Sequence, residues 1–236
     1  MSWSAQQYSK FEQERTRPVR DLVAAIPTTS VHRAIVLGCG PGNSTEVLVQ
    51  RFPSAHISRT GNSQDMLDAA RQRLPSVDFT LSDIATWAPD QSYDVILANA
   101  SLQWLPDHPS LYPRLTNYLS EGGSLAIQAP DNLEEPAHRL AREVAASGPW
   151  RAKIGKVRHP ERHSAEVYYA LLRNTCRVVD VWRTTYFHAL SGGPSAVVEW
   201  FKGTALRPFP GPLDAAEQAE FLQAYTAAIR PDLPGV

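Results

Sequence analysis

The feature that most constrains this chain is a glycine-rich turn between a short apolar run and a helical pattern. The apolar run Ala34–Leu37 leads directly into Gly38, and glycine recurs at Gly40 and Gly42. Glycine lets the backbone turn tightly and approach a ligand where a Cβ atom would clash. Because position 43 is Asn43, the spacing differs from the G-x-G-x-x-G of dinucleotide-binding proteins. The motif alone indicates either a plain strand-to-helix turn or a site for a nucleoside-containing ligand without phosphate.

Short apolar runs and helical patterns alternate through the first half of the chain. Such alternation is typical of a parallel sheet wound with helices. The predicted strands are Ala34–Leu37, His56–Thr60, Asp78–Leu81, Tyr93–Asn99 and Ser124–Ala129. The predicted helices between them are one capped by Ser44 and running to Arg51, one capped by Ser63, and one around Pro109–Leu119. The fold class is therefore predicted as α/β, with a Rossmann-like, mostly parallel sheet.

The pattern changes after Pro130, where helices predominate. The predicted elements are helices at Asp131–Ser147, Ala165–Asn174, Pro194–Lys202 and Leu213–Ile229 and a long strand at Val178–His188. One strand is too few to close a separate core, so we predict a single domain over residues 1–236 with a cap at about 131–175. No apolar run follows Arg230, which predicts a sheet without a final strand. Val178–His188 would then be an exposed edge at which a second copy could pair.

The composition argues against several function classes. Lys and Arg total 23 against 24 Asp and Glu, and this balance provides no basic surface for nucleic acid or a membrane. No apolar run reaches the roughly 18 residues of a membrane-spanning helix. Only two cysteines occur, and Cys39 lies within the glycine turn, which disfavours a disulfide framework. Together with a polar N-terminal segment, these features predict a cytoplasmic protein.

Longer blocks of sequence surround the glycine turn and continue into the second half. They read LGCGPGNSTEVL, NSQDMLDAARQRLP, SDIATWAPDQSYDVILANASLQWLPDH, GGSLAIQAPDNLEEPAHRLAREVA and GPWR. Together these blocks resemble the bacterial trans-aconitate methyltransferases, which have the class I methyltransferase fold. The resemblance runs from Trp3 to about Phe209. It implies an enzyme that transfers a methyl group from S-adenosylmethionine to a carboxylate of a small organic acid such as trans-aconitate.

The resemblance also implies how S-adenosylmethionine is bound. The implied cofactor residues are Gly38, Gly40, Gly42, Gly61, Asn62, Asp83, Ile84, Asn99, Ala100 and Trp104. The loop glycines would line its methionine part, with Asn99 and Ala100 beneath it. Asp83 would accept a hydrogen bond from the adenine amino group, and the backbone N–H of Ile84 would donate one to a ring nitrogen. Trp104 would either close one wall near the transferable methyl group or pack in the core.

Two positions depart from the family's pattern. The family usually carries an acidic residue two places before the first glycine, where this chain has Val36. The second strand usually ends in an acidic residue whose carboxylate accepts hydrogen bonds from both ribose hydroxyls. This chain has Gly61 at that position, two residues after Arg59. Since a charge-assisted hydrogen bond is worth about 1.5–3 kcal/mol, this loss would weaken cofactor binding by roughly tenfold to a hundredfold or more. Asn62 and Asp65 could supply a replacement, although helix capping is the simpler interpretation.

A carboxylate as methyl acceptor sets its own chemical requirements. It is already ionised at neutral pH, so alignment and desolvation suffice and no catalytic base is predicted. It does require cations, which arginine supplies best. The candidate substrate residues are Tyr8, Trp150, Arg151, Arg162 and Arg207. The basic stretch from Arg151 to His163 could equally be a solvated surface.

His108 would matter if the acceptor were a hydroxyl group, because a hydroxyl needs a base. Its position between Asp107 and Pro109 favours the start of a helix instead. The seven histidines show no spacing typical of a tetrahedral metal site, so no metal is predicted.

Three functions compete for this sequence. The matched blocks favour an S-adenosylmethionine-dependent methyltransferase acting on a small carboxylic acid. Val36 and Gly61 favour the same fold without normal cofactor binding, in a methylation-independent role. A nicotinamide dehydrogenase is disfavoured by the glycine spacing. The oligomeric state is left open between a monomer and a homodimer.

Overall fold

The structure is a computed structural model that describes residues 4–160 and 162–230. Its strands are β1 (Arg33–Leu37), β2 (His56–Gly61), β3 (Phe79–Leu81), β4 (Tyr93–Asn99) and β5 (Leu119–Gln128). Its helices are α1 (Ala5–Ser9), α2 (Glu12–Ala24), α3 (Asn43–Arg51), α4 (Gln64–Arg73), α5 (His108–Thr116), α6 (Pro136–Ser147), α7 (Arg151–Ile154), α8 (Ala165–Leu172), α9 (Gly193–Lys202) and α10 (Ala215–Ile229). A 3-10 turn, η1 (Leu102–Trp104), follows β4.

The chain divides into two compact units. The sheet unit comprises Glu12–Pro130 and Pro160–Tyr186, and the helical unit comprises Met1–Phe11, Asp131–His159 and Phe187–Val236. The residues of the predicted cap fall in both, with 131–159 in the helical unit and 160–175 in the sheet unit. The organisation as a single domain with this cap stays a prediction.

The sheet is parallel throughout its five strands, in the order β3-β2-β1-β4-β5. β1 lies at the centre, where Val36 is opposite Arg59 on one side and Leu97 on the other. Val36 and Leu97 belong to one buried cluster, and Ile35 and Ile96 belong to a second. A central parallel strand is covered on both faces, so it needs a continuous apolar run. The predicted α/β class is confirmed.

The strand predictions in the first half are confirmed with small shifts at their ends. Tyr93–Asn99 has the predicted bounds, whereas β5 starts at Leu119 rather than at Ser124. Leu119 pairs with Tyr93 and Ser124 pairs with Val95, so β5 carries extra residues at this point. The pairing of β4 with β5 accommodates these residues as a bulge-like irregularity, which the apolar pattern of the sequence does not indicate.

The two predicted helix caps have different outcomes. The prediction that Ser44 caps α3 is wrong, because the N-cap is Gly42 at φ +94° and Ser44 lies in the first turn. Glycine adopts this left-handed conformation without the clash of a Cβ atom. Ser63 is the N-cap of α4 as predicted, although its side chain makes no capping hydrogen bond. Met66 and Ala70 of α4 are buried.

The prediction of a long strand at Val178–His188 is wrong. These residues are described and pair with no strand of the described chain, and Val178 is 77% exposed. A strand needs a neighbour for its N–H and C=O groups, so an apolar, β-branched pattern cannot form one alone. Tyr186 Oη donates to Asp21 at 2.7 Å, and the Arg17 guanidinium lies 5.1 Å from the Tyr186 ring centroid. The end of this segment is therefore held on α2 by side chains.

The helices predicted after Pro130 are confirmed. α6 starts at Pro136 rather than at Asp131, at a position where a missing backbone N–H costs least. α10 starts with a capping box in which Asp214 and Glu217 each accept from the other's backbone N–H. The helical unit closes its own core from helices and the turns between them, with Trp150, Phe209, Phe221 and Tyr225 among its buried side chains. None of the helices in residues 4–160 and 162–230 is long and apolar enough to cross a membrane.

Candidate functional site

The glycine turn joins β1 to α3 at the carboxyl edge of the sheet. Gly38, Gly40 and Gly42 have φ values of +73°, +54° and +94°. This left-handed region strongly favours glycine, so the three residues explain how the chain can turn so tightly. The backbone N–H groups of Gly38 and Cys39 both donate to the Thr60 carbonyl at 2.9 Å. The turn is therefore tied to β2 by backbone groups alone.

Three loops converge at Gly38. A Cβ atom at Gly38 would lie 2.4 Å from Cβ of Ser101 and 3.4 Å from Cδ1 of Ile84. Ser101 Oγ donates to the Leu37 carbonyl at 2.8 Å, which fixes the loop after β4 against β1. A Cβ atom at Gly40 would meet nothing within 4 Å. The loops that follow β1, β3 and β4 thus meet where open parallel sheets bind their ligands.

Asn99 ends β4 and contributes a buried amide to this edge. The residue is 6% exposed, and its Nδ2 donates to Ser44 Oγ at 3.0 Å. Its Oδ1 is buried without a hydrogen-bond partner among the described residues. A buried acceptor without a donor is unfavourable, so this atom suits a ligand that presents N–H groups. The next residue, Ala100, has φ +49° and donates to the Gln128 carbonyl at 2.9 Å.

The loop after β3 carries Asp83 and Ile84. Asp83 is exposed, and its Oδ1 accepts from the Ala85 N–H at 2.9 Å. Ile84 is 9% exposed and its side chain lies beside Gly38. The Ile84 carbonyl accepts from Arg114 Nη2 at 3.1 Å, which anchors the loop to α5. Asp83 therefore presents its carboxylate to solvent at the rim of the site.

The carboxyl end of β2 is where the chain departs most from the family's pattern. Gly61 is buried, and a Cβ atom there would lie 3.2 Å from Cδ2 of Leu67 and 3.5 Å from Sγ of Cys39. Burial raises the pKa of the Cys39 thiol to about 12, because the low-dielectric interior disfavours the thiolate. Asn62, the following residue, is exposed. An apolar side chain and a neutral thiol thus surround the position of the expected carboxylate.

Arg59 places a cation inside the same strand. It is 2% exposed, its Nη1 donates to the Asp78 carbonyl at 3.1 Å, and its Nη2 donates to the Ile57 carbonyl. The guanidinium lies 4.7 Å from the ring centroid of Phe79. Burial lowers the pKa of Arg59 to about 10, so the group remains charged at neutral pH. Val36, at the other missing acid, is fully buried in β1.

The turn η1 carries the residues that follow β4. Trp104 is half-buried, whereas Gln103 is 3% exposed and its Oε1 has no hydrogen-bond partner among the described residues. Arg162 Nη1 donates to the Gln103 carbonyl at 3.0 Å. This predicted substrate residue therefore supports the backbone of the site.

His108 is the first residue of α5, which confirms the helix-start interpretation. Its Nε2 contacts the Leu102 carbonyl at 2.9 Å, and its Nδ1 contacts Tyr168 Oη at 2.8 Å. Burial lowers the pKa of His108, so the ring is neutral at pH 7. With both ring nitrogens engaged, the residue has no nitrogen left to accept a proton from a hydroxyl substrate.

Most of the predicted substrate residues lie in the helical unit. Trp150 is 4% exposed and its indole N–H donates to a carbonyl in α6 at 2.9 Å, so it belongs to the core of this unit. Arg151 is exposed at the start of α7, and Tyr8 is half-buried in α1. Arg207 is half-buried, and burial lowers the pKa of its guanidinium. Arg162 belongs to the sheet unit. Their contact with a substrate stays a prediction.

Several side chains of the predicted basic stretch are engaged within the helical unit. Lys153 Nζ lies 2.6 Å from the Glu217 carboxylate, and Arg158 Nη1 donates to the Val157 carbonyl at 2.8 Å. His159 Nε2 contacts the Ala205 carbonyl at 2.9 Å. Within residues 4–160 and 162–230, no group of three or more His, Cys, Asp or Glu residues could hold a metal ion.

Ser101 and Ser44 were not predicted as parts of the site. Ser101 binds the Leu37 carbonyl, and Ser44 binds the Asn99 amide. Each follows a predicted strand by a few residues, so a serine at the carboxyl end of a predicted strand could have been recognised in the sequence as a candidate site residue. The partner of each hydroxyl depends on which strands are neighbours, and no local pattern in the sequence determines that order.

The parallel sheet, with the glycine turn and the buried Asn99 amide at its carboxyl edge, has the architecture of the class I methyltransferases. A family model described as a methyltransferase domain matches residues 34–123. Among solved structures, the plantazolicin methyltransferase BpumL in complex with SAH aligns over 73% of this chain and 68% of its own, with a TM-score of 0.54 and 17% identity. An O-methyltransferase family protein from Burkholderia thailandensis aligns over 70% and 52%, with a TM-score of 0.50 and 18% identity.

Curated relatives narrow this class. The trans-aconitate 2-methyltransferase of Methylobacterium radiotolerans is 50% identical over 231 residues, which cover 96% of this chain and 88% of the relative. That of Rhodopseudomonas palustris strain BisB5 is 47% identical over 234 residues, which cover 98% and 91%. The chain belongs to the trans-aconitate methyltransferase family. It is therefore an S-adenosylmethionine-dependent methyltransferase.

Proposed function

We propose that this chain transfers a methyl group from S-adenosylmethionine to a carboxylate of trans-aconitate or a closely similar small organic acid. The observation that carries the proposal is the 50% identity, over 96% of the chain, to a relative named for this reaction. The site adds chemical support, because His108 has both ring nitrogens engaged and a carboxylate acceptor needs no base. The oligomeric state and a cytoplasmic location stay predictions.

The carboxyl edge of the sheet fits the methionine end of the cofactor. Gly38, Gly40 and Gly42 allow the backbone to approach it closely, since side chains are absent from the turn at these points. Asn99 Oδ1, a buried acceptor without a donor, would accept from the cofactor's ammonium group, with Ala100 beside it. When bound, S-adenosylmethionine supplies a methyl group on a positively charged sulfur.

The adenosine end would lie along the loops after β3 and β2. The exposed carboxylate of Asp83 would accept a hydrogen bond from the adenine amino group. The side chain of Ile84, which lies beside Gly38, would pack against the adenine ring. Gly61 offers the ribose no carboxylate, so the exposed amide of Asn62 would supply the remaining polar contact. This end of the site is consequently expected to bind more weakly than a site with an acid at position 61.

The acceptor would be held by cations and aligned by aromatic walls. Trp104 would lie near the transferable methyl group, and the predicted cations for the substrate carboxylates are Arg151 and Arg207, with Tyr8 as a covering residue. Arginine suits this task because its planar fork binds a carboxylate at two points. The residues would thus orient and desolvate an ionised nucleophile without moving a proton.

The test combines calorimetry with a transfer assay. Titration with S-adenosylhomocysteine should give micromolar binding, and methyl-labelled S-adenosylmethionine with trans-aconitate should give a product that releases labelled methanol in mild base. Base lability distinguishes a methyl ester from an ether or an amine. Citrate and the cis isomer are the matched acceptors for specificity. Cofactor binding without base-labile label from any of these acids would contradict the substrate class.

A second function is favoured by the residues at positions 36 and 61. Val36 and Gly61 remove both acidic contacts that the family's pattern provides, and Leu67 and Cys39 line the second position with groups that carry no charge at neutral pH. On this alternative the chain keeps the fold but serves a methylation-independent role. It predicts no heat of binding with millimolar S-adenosylmethionine, an outcome that the calorimetric titration reads directly.

A further inference from the structure

Two consecutive backbone carbonyls of η1 are held by side chains. Arg162 Nη1 donates to the carbonyl of Gln103 at 3.0 Å and also to the carbonyl of Pro160 at 2.8 Å. His108 Nε2 contacts the carbonyl of Leu102 at 2.9 Å. The two side chains belong to different segments of the sheet unit, so η1 is restrained from two sides.

The hydrogen-bond partners fix the direction of each bond at His108. A carbonyl oxygen only accepts, so Nε2 must carry the proton that is donated to Leu102. The neutral ring then has Nδ1 as an acceptor, and Tyr168 Oη donates to it across 2.8 Å. The Leu102 carbonyl therefore selects the histidine tautomer, and the Tyr168 hydroxyl stabilises it by donating to Nδ1. Tyr168 thus orients His108 in the way that an outer hydrogen-bond partner orients a histidine that binds a metal ion.

Tyr168 is itself held by packing. Its ring stacks on Tyr112 with centroids 4.8 Å apart and an interplanar angle of 26°, and its side chain packs against the buried cluster of the sheet that contains Ile96 and Leu102. His163 adds an edge contact, with its ring centroid 5.9 Å from that of Tyr168. α8 and the residues just before it thus supply both Tyr168 and Arg162. A rigid support of this kind is what a precisely placed loop requires.

We infer that Arg162, His108 and Tyr168 are positioning residues for methyl transfer, which fix the carbonyls of Leu102 and Gln103 and thereby place the side chain of Trp104. The inference rests on the proposed function, in which Trp104 lies near the transferable methyl group. These three residues do not touch the reacting atoms. They act through η1, whose displacement would misalign the acceptor with the methyl carbon and sulfur.

Two substitutions of His108 separate its two bonds. His108→Gln places an amide N–H where Nε2 was and keeps the bond to Leu102, whereas His108→Asn places its amide near Nδ1 and loses that bond. We expect kcat to fall roughly tenfold to a hundredfold in His108→Asn and to stay within a few-fold of wild type in His108→Gln. Binding of S-adenosylhomocysteine, which lacks the methyl group, should change less than about twofold in both. Equal kcat in the two variants at equal Tm would overturn the inference.

A matched tyrosine pair tests the next link. Tyr168→Phe removes the hydroxyl that donates to His108 and keeps the stacked ring, so kcat should fall several-fold. Tyr169→Phe removes a hydroxyl from the neighbouring residue of α8, whose side chain is 48% exposed, and it should leave kcat unchanged. A similar fall in both variants would indicate a general loss of packing and contradict a specific link to η1.

Hydrogen exchange reads the position of η1 without any transfer assay. The amides of Trp104 and Leu105 donate within the turn, to Ser101 at 3.4 Å and to Leu102 at 3.0 Å. In Arg162→Met and His108→Asn, peptides covering these amides should exchange at least about tenfold faster, with His108→Gln near wild type. Unchanged exchange would overturn the inference even in a chain that transfers no methyl group. If Arg162 instead bound substrate directly, Arg162→Met would raise the acceptor KM and leave exchange unchanged.

Discussion

The glycine turn and the carboxyl end of β2 lie at the same edge of the sheet but respond differently to sequence change. The turn keeps all three glycines, and at Gly38 even a methyl group would collide with Ser101. At Gly61 the expected acid is absent, and the neighbouring atoms belong to the flexible end of Leu67 and to a thiol. Backbone geometry dictates the residues of the turn, whereas only ligand chemistry dictates the residue at position 61.

The link between the two regions explains why the change at β2 leaves the fold intact. Gly38 and Cys39 both donate to the carbonyl of Thr60, a backbone group that exists whatever side chain follows it. The register of β1 with β2 likewise pairs Leu37 with Thr60 through backbone groups. The shape of the site can therefore persist while its affinity varies. The three predictions below test this separation of shape from affinity.

The largest effect is expected from Gly38→Ala. The new Cβ would lie 2.4 Å from Ser101 Cβ, at φ +73°, so overpacking and backbone strain combine. Left-handed strain costs about 1–2 kcal/mol and overpacking about 1–3 kcal/mol, for a total of about 2–5 kcal/mol of unfolding free energy. Cofactor affinity should fall with it, because the turn must shift. Urea unfolding and calorimetric titration measure the two quantities.

Gly40→Ala is the matched control for this prediction. Its φ is +54°, but a Cβ atom there meets nothing within 4 Å. Only the backbone term of about 1–2 kcal/mol should remain. Equal destabilisation by the two substitutions would mean that the convergence on Ser101 has no energetic weight.

The same contrast between backbone and side-chain requirements governs how far the sequence predicted the fold. Tyr93–Asn99 was predicted with its observed bounds because a continuous apolar run has few uses other than a strand buried on both faces. Val178–His188 has an equally strand-like composition but forms no strand, because pairing is a property of two segments and not of one. Ser44 was predicted as a cap from its residue type, yet Gly42 caps the helix because the turn requires a left-handed residue there.

The site was predictable to a similar extent. The glycines, Ile84 and Asn99 converge at the predicted edge, because strand ends and glycine spacing are local signals. The role of Arg162 on the Gln103 carbonyl was not predictable, since their sequence separation is 59 residues and no local pattern joins them. The absence of acids at positions 36 and 61 was visible directly in the sequence, but the apolar neighbours of Gly61 required the structure.

The second prediction concerns Gly61→Asp, which restores the ribose acid of the family's pattern. The new Cβ would lie 3.2 Å from Cδ2 of Leu67, the movable end of a side chain, so the substitution should be tolerated. One charge-assisted hydrogen bond of about 1.5–3 kcal/mol should tighten S-adenosylhomocysteine binding by roughly tenfold to a hundredfold. Gly61→Ala adds the Cβ without the carboxylate and should show no gain. An affinity of Gly61→Asp no better than that of Gly61→Ala would place the ribose elsewhere.

The smallest effect at neutral pH is expected from Cys39→Ala, at the boundary between the two regions. Removing a buried sulfur of roughly methylene size should lower the free energy of unfolding at pH 7 by about 1 kcal/mol, as measured by urea unfolding. Cys176→Ala, which removes a half-buried thiol outside the site, is the control.

The same variant has a pH signature. The pKa of Cys39 is raised from 9.0 to about 12, so the folded chain keeps the proton that the unfolded chain releases above pH 9. The stability contributed by this thiol is therefore complete below pH 9 and is lost as pH rises from 9 through about 12. Wild type should accordingly lose more stability than Cys39→Ala between pH 8 and pH 10, by about 1.4 kcal/mol for each pH unit above 9. The difference at pH 7 should then close or reverse at pH 10. If the stabilities of the two proteins changed with pH in parallel, the Cys39 thiol beside Gly61 would be accessible to water. The glycine turn and the end of β2 would then not pack together without water between them.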